Sequence, residues 1–89
     1  MHKYSVRYTE RAVKQLKKLA VFTRKQLISW IEKNLVDCED PRAKGKGLTA
    51  NRSGQWRYRV GDYRILAEIS DSTVTILVID VGHRSKIYD

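Results

Sequence analysis

The chain has 89 residues, with 18 Lys and Arg against 10 Asp and Glu, a formal net charge of +8. That length predicts one domain over residues 1–89 with one modest core. No apolar run approaches the roughly 20 residues of a membrane span, the N-terminal residues lack the apolar segment of a secretory signal, and the lone Cys38 excludes an internal disulfide, so a cytoplasmic protein is expected.

Residues 3–8, KYSVRY, alternate, with Tyr4, Val6 and Tyr8 on one face, and predict a half-buried strand. Thr9 is a suitable N-cap, Glu10 suits a first helical turn, and Val13, Leu16, Leu19 and Ala20 follow at helical spacing. Thr23 and Gln26 have the spacing of a capping box, and Phe22 and Leu27 that of a hydrophobic staple. A second helix is therefore expected from about Arg24, with a stripe of Leu27, Trp30, Ile31, Leu35 and Cys38, ending near residue 39 before Pro41. Cys38 reads as a small hydrophobe of that stripe rather than a nucleophile. The two helices form a hairpin that covers one face of a sheet.

Residues 41–54 hold Pro41, Gly45, Gly47 and Gly54 among mostly polar positions and predict a loop, long enough to suggest a functional role. From residue 55 onward the period is two. WRYRV and YRILAEI flank Gly61-Asp62, a two-residue hairpin turn with glycine first, as in type II′. SDS at 70–72 turns the chain again, and TVTILVIDV reads as a central strand ended by Gly82. The fold class is α+β: a small antiparallel sheet in the order strand–helix–helix–three strands, with the helical hairpin on one face.

The two-residue turn fixes a register. Val60 faces Tyr63, Arg59 faces Arg64, Tyr58 faces Ile65 and Arg57 faces Leu66. Trp56, Tyr58, Val60, Tyr63 and Ile65 then share an apolar face, and Arg57, Arg59 and Arg64 form an exposed triad on the other. Like charges directly opposed weaken a sheet. One reading is a solvated face whose arginine stems cover apolar neighbours. The other is a site for a polyanion, which relieves the repulsion and suits the planar guanidinium fork. Distribution favours the second: from Arg42 to Ile65 there are seven basic residues (Arg42, Lys44, Lys46, Arg52, Arg57, Arg59 and Arg64) and one acid, Asp62. The tail, GHRSKIYD, adds His83, which exchanges protons near neutral pH, together with Arg84 and Tyr88. The sequence contains no spacing for metal ligands, no phosphate-binding glycine loop and no Ser-His-Asp arrangement, so neither metal nor cofactor is expected. Any chemistry falls to Arg, Lys, His and Tyr.

GKGL, then WRYRVGDYRIL, then ILVIDVGHRSKIYD resemble the RelE branch of the RelE/ParE toxin superfamily, and the order of elements is that family's order over nearly the whole chain. The resemblance implies a toxin of a type II toxin–antitoxin pair. RelE-type members enter the ribosomal A site and cleave mRNA; ParE-type members inhibit DNA gyrase. It carries the family's catalytic positions onto Arg57, Arg59, Arg64, Arg84 and Tyr88, and retention of GHR followed by tyrosine favours the RelE type. Some members have lysines where this chain has Arg57 and Arg59. Arginine stays protonated and is a poor general base, so His83 is the expected proton acceptor. The loop cations Arg42, Lys44, Lys46 and Arg52 are expected to bind RNA or the ribosome. The chain reaches only one residue past Tyr88, so a longer C-terminal helix found in other members is expected to be absent.

The reaction implied is attack by the substrate's own 2′-hydroxyl on the adjacent phosphodiester, without metal. An acidic RelB-like antitoxin is the expected partner, as a hetero-oligomer, besides the ribosome and mRNA, with no membrane. Two alternatives stand beside this reading: a ParE-like gyrase inhibitor, and a non-catalytic module that binds RNA or antitoxin on the same fold.

Overall fold

The computed structural model describes residues 3–49 and 54–83. Strand β1 (Ser5–Tyr8) leads directly into helix α1 (Glu10–Lys18). Thr9 caps that helix as its chemistry predicts, its side chain accepting from the Ala12 N–H at 3.1 Å. Helix α2 (Val21–Asn34) follows after only Leu19 and Ala20. It starts a turn earlier than the Thr23–Gln26 spacing suggests, with Ala20 at the N-cap and no side-chain cap bond. The expected capping box is not used, and Phe22 is 80% exposed rather than stapled onto Leu27. The short connection leaves no room for a separate capping segment, and Leu27 and Ile31, both buried, set the position of the helix instead.

The other end of α2 also differs. The helix stops at Asn34, not near residue 39, well before Pro41. Asp37 adopts a left-handed conformation, φ 60°. That turn brings the chain back against β1, where the Asp37 N–H donates to Tyr4 O at 2.8 Å and the Tyr4 N–H to Cys38 O at 2.9 Å.

Strands β2 (Lys46–Gly47), β3 (Gln55–Val60), β4 (Tyr63–Ser70) and β5 (Thr75–His83) complete a five-stranded sheet in the order β1-β5-β4-β3-β2. The α+β class holds. The sheet is mixed, because β1 runs parallel to β5 while the other three pairs are antiparallel. A strand followed by two helices and a return into the same sheet permits that parallel pairing. The expected loop 41–54 contains β2, two residues long. The last strand begins at Thr75, two residues later than TVTILVIDV suggests, because Val74 turns at φ 52°. It also continues through Gly82 to His83 rather than ending there.

The hairpin register of β3 and β4 is the one the turn dictates, with Gly61 at φ 59°. Tyr58, Ile65, Ile76 and Val78 have no exposed surface and meet Ala12, Leu16, Leu27, Ile31 and Leu35 from the helical side. Burial of each large side chain contributes about 1.5–3 kcal/mol. Between the ladder pairs Leu66–Asp80 and Ala67–Val78 a β-bulge adds one residue, Ile79. β1 pairs with β5 only as far as Tyr8 opposite Val78. Beyond that point Gln15 of α1 takes over: its Nε2 donates to Asp80 Oδ1 at 2.7 Å, and its Oε1 accepts the Val81 N–H at 2.7 Å.

Gln15→Ala is therefore expected to lower the unfolding free energy by about 1–3 kcal/mol, since it strips partners from a buried strand. Lys18→Ala, on the exposed side of the same helix, is expected to stay within about 0.5 kcal/mol. Urea denaturation of both variants checks this.

Candidate nucleic-acid interface

The second face of the β3–β4 hairpin carries Arg57, Arg59, Arg64, Leu66 and Glu68, as the register requires. Of the three arginines only Arg59 is exposed. Arg57 and Arg64 are each 7% exposed, so the expected fully exposed triad is two buried guanidiniums beside one open one. Leu66, directly opposite Arg57, has no exposed surface and lies outside the main core cluster. The arginine face thus has an apolar floor, and the stems of its cations lie against the sheet rather than in solvent.

The loop before β2 is docked onto β3 by aromatic residues of that strand. Tyr58 Oη donates to Pro41 O at 2.6 Å, and Trp56 Nε1 donates to Lys44 O at 2.7 Å. Burial pushes the Tyr58 phenol well above its ordinary range, so it remains a donor at any physiological pH. Gly45 sits between these anchors at φ 83°. A Cβ there would collide with Arg57 O and would lie 2.7 Å from Trp56 Nε1 and 2.8 Å from Tyr58 Cδ1. Close approach of the loop backbone to β3 places Lys46 opposite Arg57 in the sheet. The result is a groove of about 500 Å³ lined by Trp30, Lys44, Gly45, Lys46, Arg57 and Arg59. Among the described residues its walls carry four cations and no acid.

Arg42 has a different role from the one its position in the basic loop suggests. Its guanidinium bonds Asp71 Oδ1 at 3.0 Å, and the Tyr4 hydroxyl donates to the same oxygen at 2.7 Å. Its backbone N–H bonds Asp40 Oδ1 at 3.0 Å. Arg42 therefore ties the loop to the β4–β5 turn. The bonds from Arg42 and Tyr4 hold the Asp71 carboxyl below its ordinary range.

His83 is also displaced from its expected company. β5 does neighbour the arginine hairpin, but Gly82 is the residue opposite Arg64. His83 lies opposite Tyr63, and the two rings meet edge-on, centroids 5.5 Å apart. It therefore stands on the Tyr63 side of the sheet, away from Arg57, Arg59 and Arg64. Arg52, Arg84 and Tyr88 lie outside the described residues. Lys44 and Lys46 both line the groove. Two residues of this region escaped the sequence reading. Trp30 reads as core from its helical spacing yet borders the groove. Glu68, legible only as the next outward position after Leu66, puts a carboxylate on the arginine face. The Cys38 thiol is pushed up by burial, which disfavours the thiolate a nucleophile needs.

Gly45→Ala is expected to release the loop, seen as faster proteolysis between Pro41 and Leu48 and a red shift of tryptophan fluorescence. Asp71 has a depressed pKa in the folded protein, so its contribution to stability is complete above the ordinary value of 3.8 and is lost as pH falls through the lower folded value. On acidification below about pH 4 the urea midpoint of the wild type is expected to fall more steeply than that of Asp71→Asn.

The family model described as ParE toxin of type II toxin–antitoxin system, parDE, matches residues 6–88. Toxin RelG of Mycobacterium tuberculosis is 32% identical over 85 residues, spanning 96% of this chain and 95% of RelG. A chain of the M. tuberculosis RelBE2 toxin–antitoxin complex superposes with a TM-score of 0.85 at 30% identity, covering 97% of both chains. The isolated Escherichia coli RelE toxin superposes with a TM-score of 0.72 at 28% identity, over 90% of this chain and 83% of that one. The chain belongs to the ParE toxin family of type II toxin–antitoxin systems, on the RelE branch of the RelE/ParE superfamily.

Proposed function

We propose that this toxin is a ribosome-dependent mRNA endoribonuclease that needs no metal. The observation that carries the reading is the convergence of Lys44, Lys46, Arg57 and Arg59 on one groove, with Arg64 alongside on the same face. Four cations lining one groove fit a phosphodiester better than the mixed charges of a protein surface.

The reaction conserves atoms within the substrate. The 2′-oxygen forms a bond to phosphorus, the bond from phosphorus to the 5′-oxygen of the next nucleotide breaks, and a 2′,3′-cyclic phosphate and a 5′-hydroxyl result. One proton leaves the attacking hydroxyl and one reaches the departing oxygen. Arg57, Arg59 and Arg64 hold the phosphate in line and oppose the charge that grows on its oxygens. Their guanidiniums stay protonated, so the proton moves through another group. Glu68, on the arginine face, joins His83 as a candidate acceptor. His83 reaches the substrate only from the Tyr63 side of the sheet. Arg84 and Tyr88 are carried into the site by family resemblance, as a phosphate ligand and as a proton donor or stacking ring.

The partner reading is an acidic antitoxin. Solved structures similar to this chain include toxin–antitoxin complexes from M. tuberculosis and Methanococcus jannaschii. The surface suited to it lies at the far edge of the sheet from the groove. There Val6, Tyr8, Val13, Leu16, Ile28 and Val36 line an apolar furrow of about 620 Å³ beside β1, the edge strand of the sheet among the described residues. An antitoxin segment seated there completes the sheet and covers exposed Val13 and Val36.

Arg59 is the residue of choice for a test, because Arg57 and Arg64 are buried and their loss would disturb the sheet. Arg59→Ala is expected to keep its urea midpoint and to lose about 10²–10³ in the rate of cleaving ribosome-bound message. Unchanged cleavage in this variant would sink the assignment of phosphate binding to this face.

A further inference from the structure

Trp30 borders the cationic groove, yet no step of the proposed chemistry uses it. It is carried by α2, and its carbonyl accepts from Asn34 Nδ2 at 2.9 Å. Its ring packs against Tyr58, with centroids 5.6 Å apart and planes tilted by 51°. Tyr58 is fully buried and fixed at its hydroxyl to Pro41 O. The indole is thus held by a rigid neighbour while remaining half-buried beside Lys44, Lys46, Arg57 and Arg59.

The backbone adds a second feature. β2 pairs only with Trp56 and Arg57, so among the described residues β3 runs on through Tyr58 and Arg59 without a strand partner on that side. The groove opens at that gap. It combines a preordered aromatic ring, flanking cations and room for a small planar group, with a volume in the range of small-ligand sites. Binding sites for single-stranded nucleic acid have this composition, with cations that track the phosphates and a ring on which a base stacks. An acidic peptide would also meet the cations. It would find one ring and little other apolar surface, whereas the apolar furrow lies at the opposite edge of the sheet.

We infer that Trp30 is a base-stacking platform that positions one nucleotide of the RNA next to the phosphate held by Arg57 and Arg59. This deepens the reading of the protein as a ribonuclease and rests on it. The platform is sequence-tolerant, because every base has a face to stack. It sets where along the strand the reacting phosphate lies, and Trp30 is a positioning residue in that sense.

The test uses the full chain and uncleavable 2′-O-methyl hexanucleotides, with an abasic site moved through each position in turn, and reads affinity by fluorescence anisotropy. For the intact oligonucleotide, Trp30→Leu is expected to weaken binding by about 5- to 150-fold, and Trp30→Phe to restore most of it. At one position the abasic site is expected to weaken wild-type binding and to leave Trp30→Leu unaffected. Lys46→Ala serves as a contrast that weakens all oligonucleotides alike and lowers the salt slope by about one. The same abasic penalties in wild type and Trp30→Leu at every position would overturn the inference. So would failure of the wild type to bind the hexanucleotide, or preferential binding of an acidic peptide that depends on Trp30. Cleavage of ribosome-bound message by the same preparation separates these results from failure of the ribonuclease reading itself.

Discussion

A two-residue turn at Gly61-Asp62 forces Arg59 and Arg64 to face one another across a strand pair. The pairing has an electrostatic cost, since like charges directly opposed weaken a sheet. The same register buries Tyr58 and Ile65 completely. Burial of each contributes about 1.5–3 kcal/mol, which exceeds the repulsion. Slipping the hairpin by one residue would relieve the arginines and turn Tyr58 and Ile65 to the opposite face. The cationic face is therefore a consequence of the core, held in place by burial on the reverse side of the sheet. A surface maintained this way is ready for an anion before one arrives, as electrostatic stabilisation of a transition state requires.

The alternation of β3 and β4 and the glycine-first turn were enough to read the register residue by residue, because period and loop length both constrain it. Thr9 announced α1 for a similar reason, since capping is a local event. The failures involve distant partners. Nothing local marks Asp37 as the left-handed residue that ends α2; the bonds to Tyr4 that accompany it come from a strand more than thirty residues earlier. The Thr23–Gln26 spacing is a sound local signal overridden by a two-residue connection and by the anchoring of Leu27 and Ile31. Parallel pairing of β1 with β5 is a property of the whole topology.

The site divided along the same line. Arg57, Arg59 and Arg64 were legible as one face, but the burial of two of them depends on what surrounds the sheet. Arg42 looked like one more loop cation until Tyr4 and Asp71 were brought beside it from opposite ends of the chain. His83 was read as part of a tail after Gly82, whereas it is the last residue of β5 and, by one residue of register, stands on the other side from Arg64. Lys44 and Lys46 owe their place to Gly45, Trp56 and Tyr58, which bring the loop against β3. The aromatic residues of a strand that seems devoted to the core are thus the anchors of the cationic groove. Core and groove share β3, which couples fold stability to the geometry of the cationic groove.

The most direct test of the central claim is the chemistry of the cut ends. The toxin is induced in translating cells, and the ends of the message are mapped by primer extension and by their reactivity to kinase and phosphatase. The account predicts cuts that require the ribosome, with a 5′-hydroxyl downstream and a 2′,3′-cyclic phosphate upstream, both much reduced for Arg59→Ala. Intact message accompanied by DNA breaks would contradict it and would assign the cationic face to a gyrase inhibitor instead.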